Sequence, residues 1–158
     1  MTSSTKKRRP LRHEIVEPRV PNAQATKTLR TLIRLQELRK IQREAEVARQ
    51  RSALEDARHF LRQAEQDLDD AVEIERRQRA CLHLEYLEQK ASVTRVRNWA
   101  SALRECVNRT KEFEAAREKA KTQSDAVAAR LAETEDELRG VMRGLEKYAY
   151  LLEHELEG

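Results

Sequence analysis

Nucleophiles, general bases and metal ligands are the raw material of an active site, and in this sequence they are few and scattered. Cys81 and Cys106 are the only cysteines, and His13, His59, His83 and His154 are the only histidines in 158 residues. They form no CxxC pair, no i, i+4 histidine pair and no Cys/His cluster, so converging metal ligands are not offered. The two cysteines read as reduced, small hydrophobic side chains. No activated nucleophile, paired-carboxylate site or glycine-rich phosphate loop stands out. Ser52-x-x-Glu55 has the spacing of a capping box but sits inside a strong helical pattern. The expectation is a protein that is not an enzyme, with no cofactor, no metal site and no small-molecule substrate.

Lys6-Lys7-Arg8-Arg9 is the remaining chemical signal, and a cluster of this kind suits a nuclear address or a nucleic-acid arm. Its context argues against nucleic acid, because no aromatics interleave with it and no folded basic face accompanies it. The formal charge of +4 is carried entirely by residues 1–22, where Lys6, Lys7, Arg8, Arg9, Arg12 and Arg19 stand against Glu14 and Glu17. The remainder of the chain is balanced.

The elements that would position any functional surface are helices. Pro10, Pro18, Pro21, Gly140, Gly144 and Gly158 are the only helix breakers, and none falls between Asn22 and Arg139. That interval is rich in Ala, Leu, Glu, Arg, Lys and Gln, all strong helix formers. Aromatic residues make up 4% and charged residues 38% of the chain, too little apolar bulk for an ordinary globular core. Narrow apolar stripes must be buried instead. No apolar run approaches the ~20 residues of a membrane span, and the N-terminus lacks the apolar core of a secretory signal. A cytoplasmic protein is expected.

Residues 1–22 combine basic charge with three prolines and read as a disordered tail. A first coiled-coil helix is expected over 23–90, a turn over 91–94 and a second coiled-coil helix over 95–156. The turn rests on Ala91-Ser92-Val93-Thr94, whose hydroxyl and β-branched side chains compete with a helix and can cap a new one. The alternative is a single helix of roughly 200 Å. Three features favour an all-α, antiparallel two-helix hairpin.

The two arms match in length. The second carries an unbroken 3-4 spacing from Val96, Trp99, Leu103 and Cys106 through Thr110, Phe113, Arg117, Ala120, Ser124, Val127, Leu131, Thr134, Leu138, Val141, Leu145, Tyr148 and Leu152, which is a coiled-coil seam. The first shows Leu54, Ala57, Leu61, Ala64, Leu68 and Ala71 in one phase and Leu38, Ile41, Ala45 and Ala48 in another, which predicts a stutter near Gln50. Folding about Ser92 sets Ala71 opposite Phe113, Leu54 near Leu131 and Leu32 opposite Leu152. Finally, residues 27–51 hold eight basic and three acidic side chains while residues 133–157 hold eight acidic and three basic. Opposite blocks favour the antiparallel arrangement, although each exposed pair is worth only ~0.2–1 kcal/mol.

Two surfaces are candidates for partner binding. At the open end, Leu29, Leu32, Leu35, Leu145, Tyr148, Tyr150, Leu151 and Leu152 cover more of the helix circumference than one seam uses, with Arg39, Lys40 and Arg43 beside them. Surplus apolar surface of this kind marks a protein-binding site or a self-association face. At the tip, Ser92, Val93, Val96 and Trp99 form the second candidate. Trp99 itself is explained by the seam spacing, with an exposed tip anchor as the competing reading. Gly140 and Gly144 weaken the second helix and allow a bend or a close approach.

The first helix opens with Leu32-x-x-Leu35-x-x-Leu38-Arg39-x-x-Gln42-Arg43-Glu44-Ala45-Glu46, and the second begins with Trp99-x-x-x-Leu103. Over residues 27–156 this plan resembles the YscO/FliJ group of type III secretion and flagellar export proteins. The resemblance implies a non-catalytic central stalk in the bacterial cytoplasm, at the cytoplasmic face of a membrane complex. Such a stalk links a hexameric export ATPase to the export gate and is associated with secretion chaperones. The open-end residues would then meet the ATPase ring and the tip residues the gate. The basic tail is a departure, since the family usually enters its first helix almost at once. A self-assembling or tethering coiled coil is the alternative reading.

Overall fold

The computed structural model describes residues 20–87 and 92–157. Within them the chain is two α-helices, α1 (Ala23–Leu87) and α2 (Val93–Glu157), arranged as an antiparallel hairpin without strands. The expected tail over 1–22 lies almost wholly outside the described residues, as do Glu88 to Ala91 of the expected first helix and turn.

Both helices begin at side-chain caps. Asn22 Oδ1 accepts the backbone N–H of Gln24 at 3.0 Å and of Ala25 at 3.3 Å, satisfying donors that the first turn of α1 leaves unpaired. Ser92 does the same for α2, its Oγ accepting Arg95 N–H at 3.3 Å and its carbonyl accepting Val96 N–H at 3.1 Å. Val93 and Thr94, expected in the turn, therefore belong to the first turn of α2. Along the exposed faces, i, i+4 pairs such as Gln63 to Asp67, Gln66 to Asp70 and Arg79 to Glu75 add about 0.2–0.5 kcal/mol each.

The chain divides into a terminal unit, made by residues up to Leu38 and from Met142, and a central unit, Arg39–Val141. In the central unit Val47, Leu54, Ala57 and Ala71 of α1 are buried together with Thr110, Ser124 and Thr134 of α2. Thr110 and Thr134 satisfy their hydroxyls by donating to the carbonyls of Cys106 and Arg130, both at 3.0 Å. No large side chain among the described residues is fully buried, which is the expected condition of a seam one residue wide. In the terminal unit Leu29, Ile33 and Gln36 of α1 and Leu145, Tyr148 and Leu152 of α2 are half-buried. Asn22 N–H donates to Glu155 Oε1 at 3.0 Å, tying the start of α1 to the last turns of α2.

The α2 seam follows the expected spacing at every position from Val96 to Leu152, each being buried or half-buried. The α1 seam differs in one respect. There is no stutter near Gln50: Gln36, Lys40, Val47 and Gln50 continue the same heptad phase as Leu54 and Ala57, while Leu38 and Ile41 are 59% and 62% exposed and Ala45 and Ala48 also face solvent. An unbroken repeat on α2 requires an unbroken repeat opposite it, and this outweighs the local apolar pattern. Gln36 lies against Gly144 in the terminal unit, and in the central unit Arg43 pairs with Glu137 at 2.8 Å and Arg51 with Glu135 at 3.3 Å, contacts that fall on either side of the pairing expected for folding about Ser92.

Candidate partner-binding surfaces

In the terminal unit the seam consumes only part of the apolar surface. Leu29, Leu32, Leu145, Tyr148 and Leu152 are half-buried between the helices. Leu35, Leu38, Met142, Tyr150, Leu151 and Leu156 remain exposed, Tyr150 by 67%. Tyr150 stacks nearly parallel on His154, with ring centroids 6.4 Å apart, one turn along the outer face of α2. The candidate residues of this unit thus separate into a group that holds the two helices together and a group, Leu35, Tyr150 and Leu151, that is free to meet another molecule.

Two polar side-chain atoms are buried here without partners. Thr26 Oγ1 and Gln36 Oε1 have no hydrogen bond and almost no contact with solvent. Gln36 sits where a seam leucine would be expected, and a Cβ on Gly144 would lie 3.5 Å from its amide nitrogen. Gly144 therefore faces a side chain in ordinary contact, and no close backbone approach depends on it.

In the central unit the three candidate cations have different surroundings. Lys40 reaches Glu44 at 3.8 Å on its own helix, Arg43 bridges to Glu137 on α2, and Arg39 is exposed. Arg51 makes a second inter-helix bridge, to Glu135 at 3.3 Å. Charge complementarity thus operates across the seam as the two sequence blocks suggest. Glu46 is held below its ordinary value of 4.5, first by the Arg49 guanidinium at 2.6 Å and further by the Gln50 amide at 3.0 Å. Glu75 is also lowered, first by Arg79, which donates to its Oε1 at 3.1 and 2.8 Å.

Near the reversal, Ser92 and Val93 are exposed, whereas Val96 and Trp99 are half-buried on the seam. Trp99 borders a shallow groove with Gln78, Asn98 and Ala102. A more apolar groove runs along Leu82, Val96 and Leu103, rimmed by Arg79 and His83. The four candidate tip residues are thus split, two presented to solvent and two serving the seam.

No group of three or more His, Cys, Asp or Glu side chains among the described residues is arranged to hold a metal ion. Cys81 is exposed and Cys106 half-buried on the seam, both as free thiols. No helix among the described residues is long and apolar enough to cross a membrane. Sequence reasoning missed Thr26, Gln36 and Gln50, because polar residues leave no mark in an apolar periodicity. Comparison of the chain with protein-family models, with curated proteins and with solved structures finds no match.

Proposed function

We propose that this protein is a non-catalytic coupling stalk of a bacterial type III secretion apparatus, in which a helical hairpin links the hexameric export ATPase to the export gate. The observation that carries this reading is the exposed apolar surface of the terminal unit. Leu35, Leu38, Tyr150 and Leu151 lie outside the seam, and an apolar surface that packing does not consume is a docking surface. A helical hairpin supplies the form such a coupling element needs, and the Leu-x-x-Leu-x-x-Leu-Arg opening of α1 resembles that of YscO/FliJ-like proteins. The terminal unit is assigned to the ATPase ring, and Ser92, Val93, Val96 and Trp99 to the gate. Handling of secretion chaperones belongs to the same reading, as does a place at the cytoplasmic face of the apparatus.

Purified protein is expected to raise the activity of the export ATPase encoded beside it. Leu35→Asp and Tyr150→Asp should each reduce that stimulation at unchanged helicity, because both side chains lie off the seam. Equal stimulation by wild type and both variants would refute the assignment. The same exposed surface would also serve a self-assembling or tethering coiled coil. That reading takes precedence if the protein forms stable oligomers that Leu35→Asp dissolves while no ATPase responds.

A further inference from the structure

The terminal unit carries a second feature that the apolar surface does not explain. A groove of about 530 Å³ beside the first turns of α1 is lined by Pro21, Ala23, Lys27, Arg30 and Arg34, with Leu156 contributed by α2. Lys27, Arg30 and Arg34 are spaced by three and four residues, so their side chains rise from one face of the helix. None of the three pairs with a carboxylate among the described residues. Arg39 and Arg97 of the central unit likewise pair with no carboxylate among the described residues, so what sets Lys27, Arg30 and Arg34 apart is that they line one groove. Thr26 lines the same groove, is 8% exposed, and leaves its hydroxyl without a hydrogen-bond partner. A buried hydroxyl left unpaired is destabilising, and a ligand with acceptor oxygens that reaches it would relieve it. The first-turn N–H groups do not contribute, since Asn22 already caps them.

We propose that this groove binds an acidic segment of a partner protein, one that presents Asp or Glu carboxylates to Lys27, Arg30 and Arg34 and an apolar side chain to the Pro21, Ala23 and Leu156 wall. Guanidinium groups take carboxylates in a bidentate fork, and the apolar wall gives a protein segment an advantage that a phosphate chain does not have. The chain's own N-terminal segment has the wrong sign, with six basic residues against two acidic ones in residues 1–22. The inference shares with the proposed stalk function only the premise that the terminal unit docks a protein.

The test uses the full chain and a fluorescent synthetic helix bearing Glu and Leu at 3-4 spacing, titrated by anisotropy. Binding is expected to weaken as salt rises, and Lys27→Glu, Arg30→Glu and Arg34→Glu combined should reduce affinity by about tenfold or more. The same peptide with Lys for Glu should not bind. Arg97→Glu, an exposed cation of the central unit, should leave affinity unchanged. Thr26→Val keeps the side-chain shape without the hydroxyl, and is expected to weaken binding about two- to threefold at an unchanged or raised melting temperature. Overturning results are absence of peptide binding, equal loss with Arg97→Glu, full retention in the triple variant, or tighter capture of an oligonucleotide or anionic vesicles than of the peptide. Full retention by Thr26→Val would remove that hydroxyl from the site. Loss of ATPase stimulation with peptide binding intact would sink the stalk reading alone, and the reverse would sink the groove alone.

Discussion

Gln50→Leu should stabilise the protein, although it removes a hydrogen bond. Gln50 occupies a seam position of α1 between Val47 and Leu54, with its Nε2 donating to Glu46 Oε1 at 3.0 Å and its Oε1 buried and unpaired. An orphaned buried carbonyl costs about 1–3 kcal/mol, and that cost disappears with the amide. A leucine in its place contributes roughly 1 kcal/mol, discounted from the 1.5–3 kcal/mol of full burial because the site is only half-buried. Against this stands the lost bond to Glu46, worth about 0.5–1.5 kcal/mol, while Glu46 keeps its partner Arg49 at 2.6 Å. The net expectation is about 1–3 kcal/mol of added stability, or about 2–10 °C in melting temperature for a chain of this size. Urea unfolding followed by far-ultraviolet circular dichroism measures it, provided the slope is unchanged. Gln42→Leu, at an exposed position of the same helix, is the control and should shift stability by less than about 0.5 kcal/mol. A neutral or destabilised Gln50→Leu would show that Gln50 does not sit on the seam, and the continuous α1 phase would fall with it.

Leu54→Ala and Leu38→Ala probe that phase from the apolar side. Leu54 is 7% exposed and should cost about 2–4 kcal/mol on truncation, whereas Leu38, at 59%, should cost less than about 0.5 kcal/mol; similar losses at both would restore a stutter. Gly140→Ala and Gly144→Ala should each stabilise by about 0.5–1 kcal/mol, because a Cβ meets nothing within 4 Å at the first and only ordinary contact with Gln36 at the second; destabilisation by Gly144→Ala in thermal melts would contradict the packing. Glu46 and Glu75 have carboxyls lowered from 4.5, so they release protons more readily when folded. Their contribution is present above 4.5 and is lost as pH falls through the lowered values. Acid titration of unfolding stability should therefore show a decline below about 4.5 that Glu75→Gln reduces; an identical decline in the variant would place the acid sensitivity elsewhere.

The hairpin was legible because its signals are redundant. A breaker-free interval from Asn22 to Arg139, an unbroken α2 spacing and opposite charge blocks all point to the same pairing, and agreement across levels is what specifies a fold. Ser92 was legible as a cap through its hydroxyl, but a sequence does not show how soon the helix follows its cap, and Val93 and Thr94 already belong to α2. On the functional side, the surplus at Leu35, Tyr150 and Leu151 could be read from its width alone. The groove at Lys27, Arg30 and Arg34 could not be read, because it needs Leu156 from the other helix to close it.

The α1 phase shows why apolar periodicity misleads in a two-helix protein. Leu38, Ile41, Ala45 and Ala48 form a more convincing stripe than Gln36, Lys40, Val47 and Gln50, yet the second set takes the seam. A helix with one neighbour can bury only one stripe, and the choice is made over its whole length: changing phase midway would require a compensating change on α2, whose repeat has none. The local loss is bounded, since the orphaned carbonyls of Gln36 and Gln50 each forfeit about 1–3 kcal/mol, whereas Leu54, Ala57, Leu61, Ala64, Leu68 and Ala71 pull as a block for the phase observed. An apolar stripe displaced to the outside in this way is not evidence of poor packing. It follows from committing the whole length of α1 to the phase that matches α2.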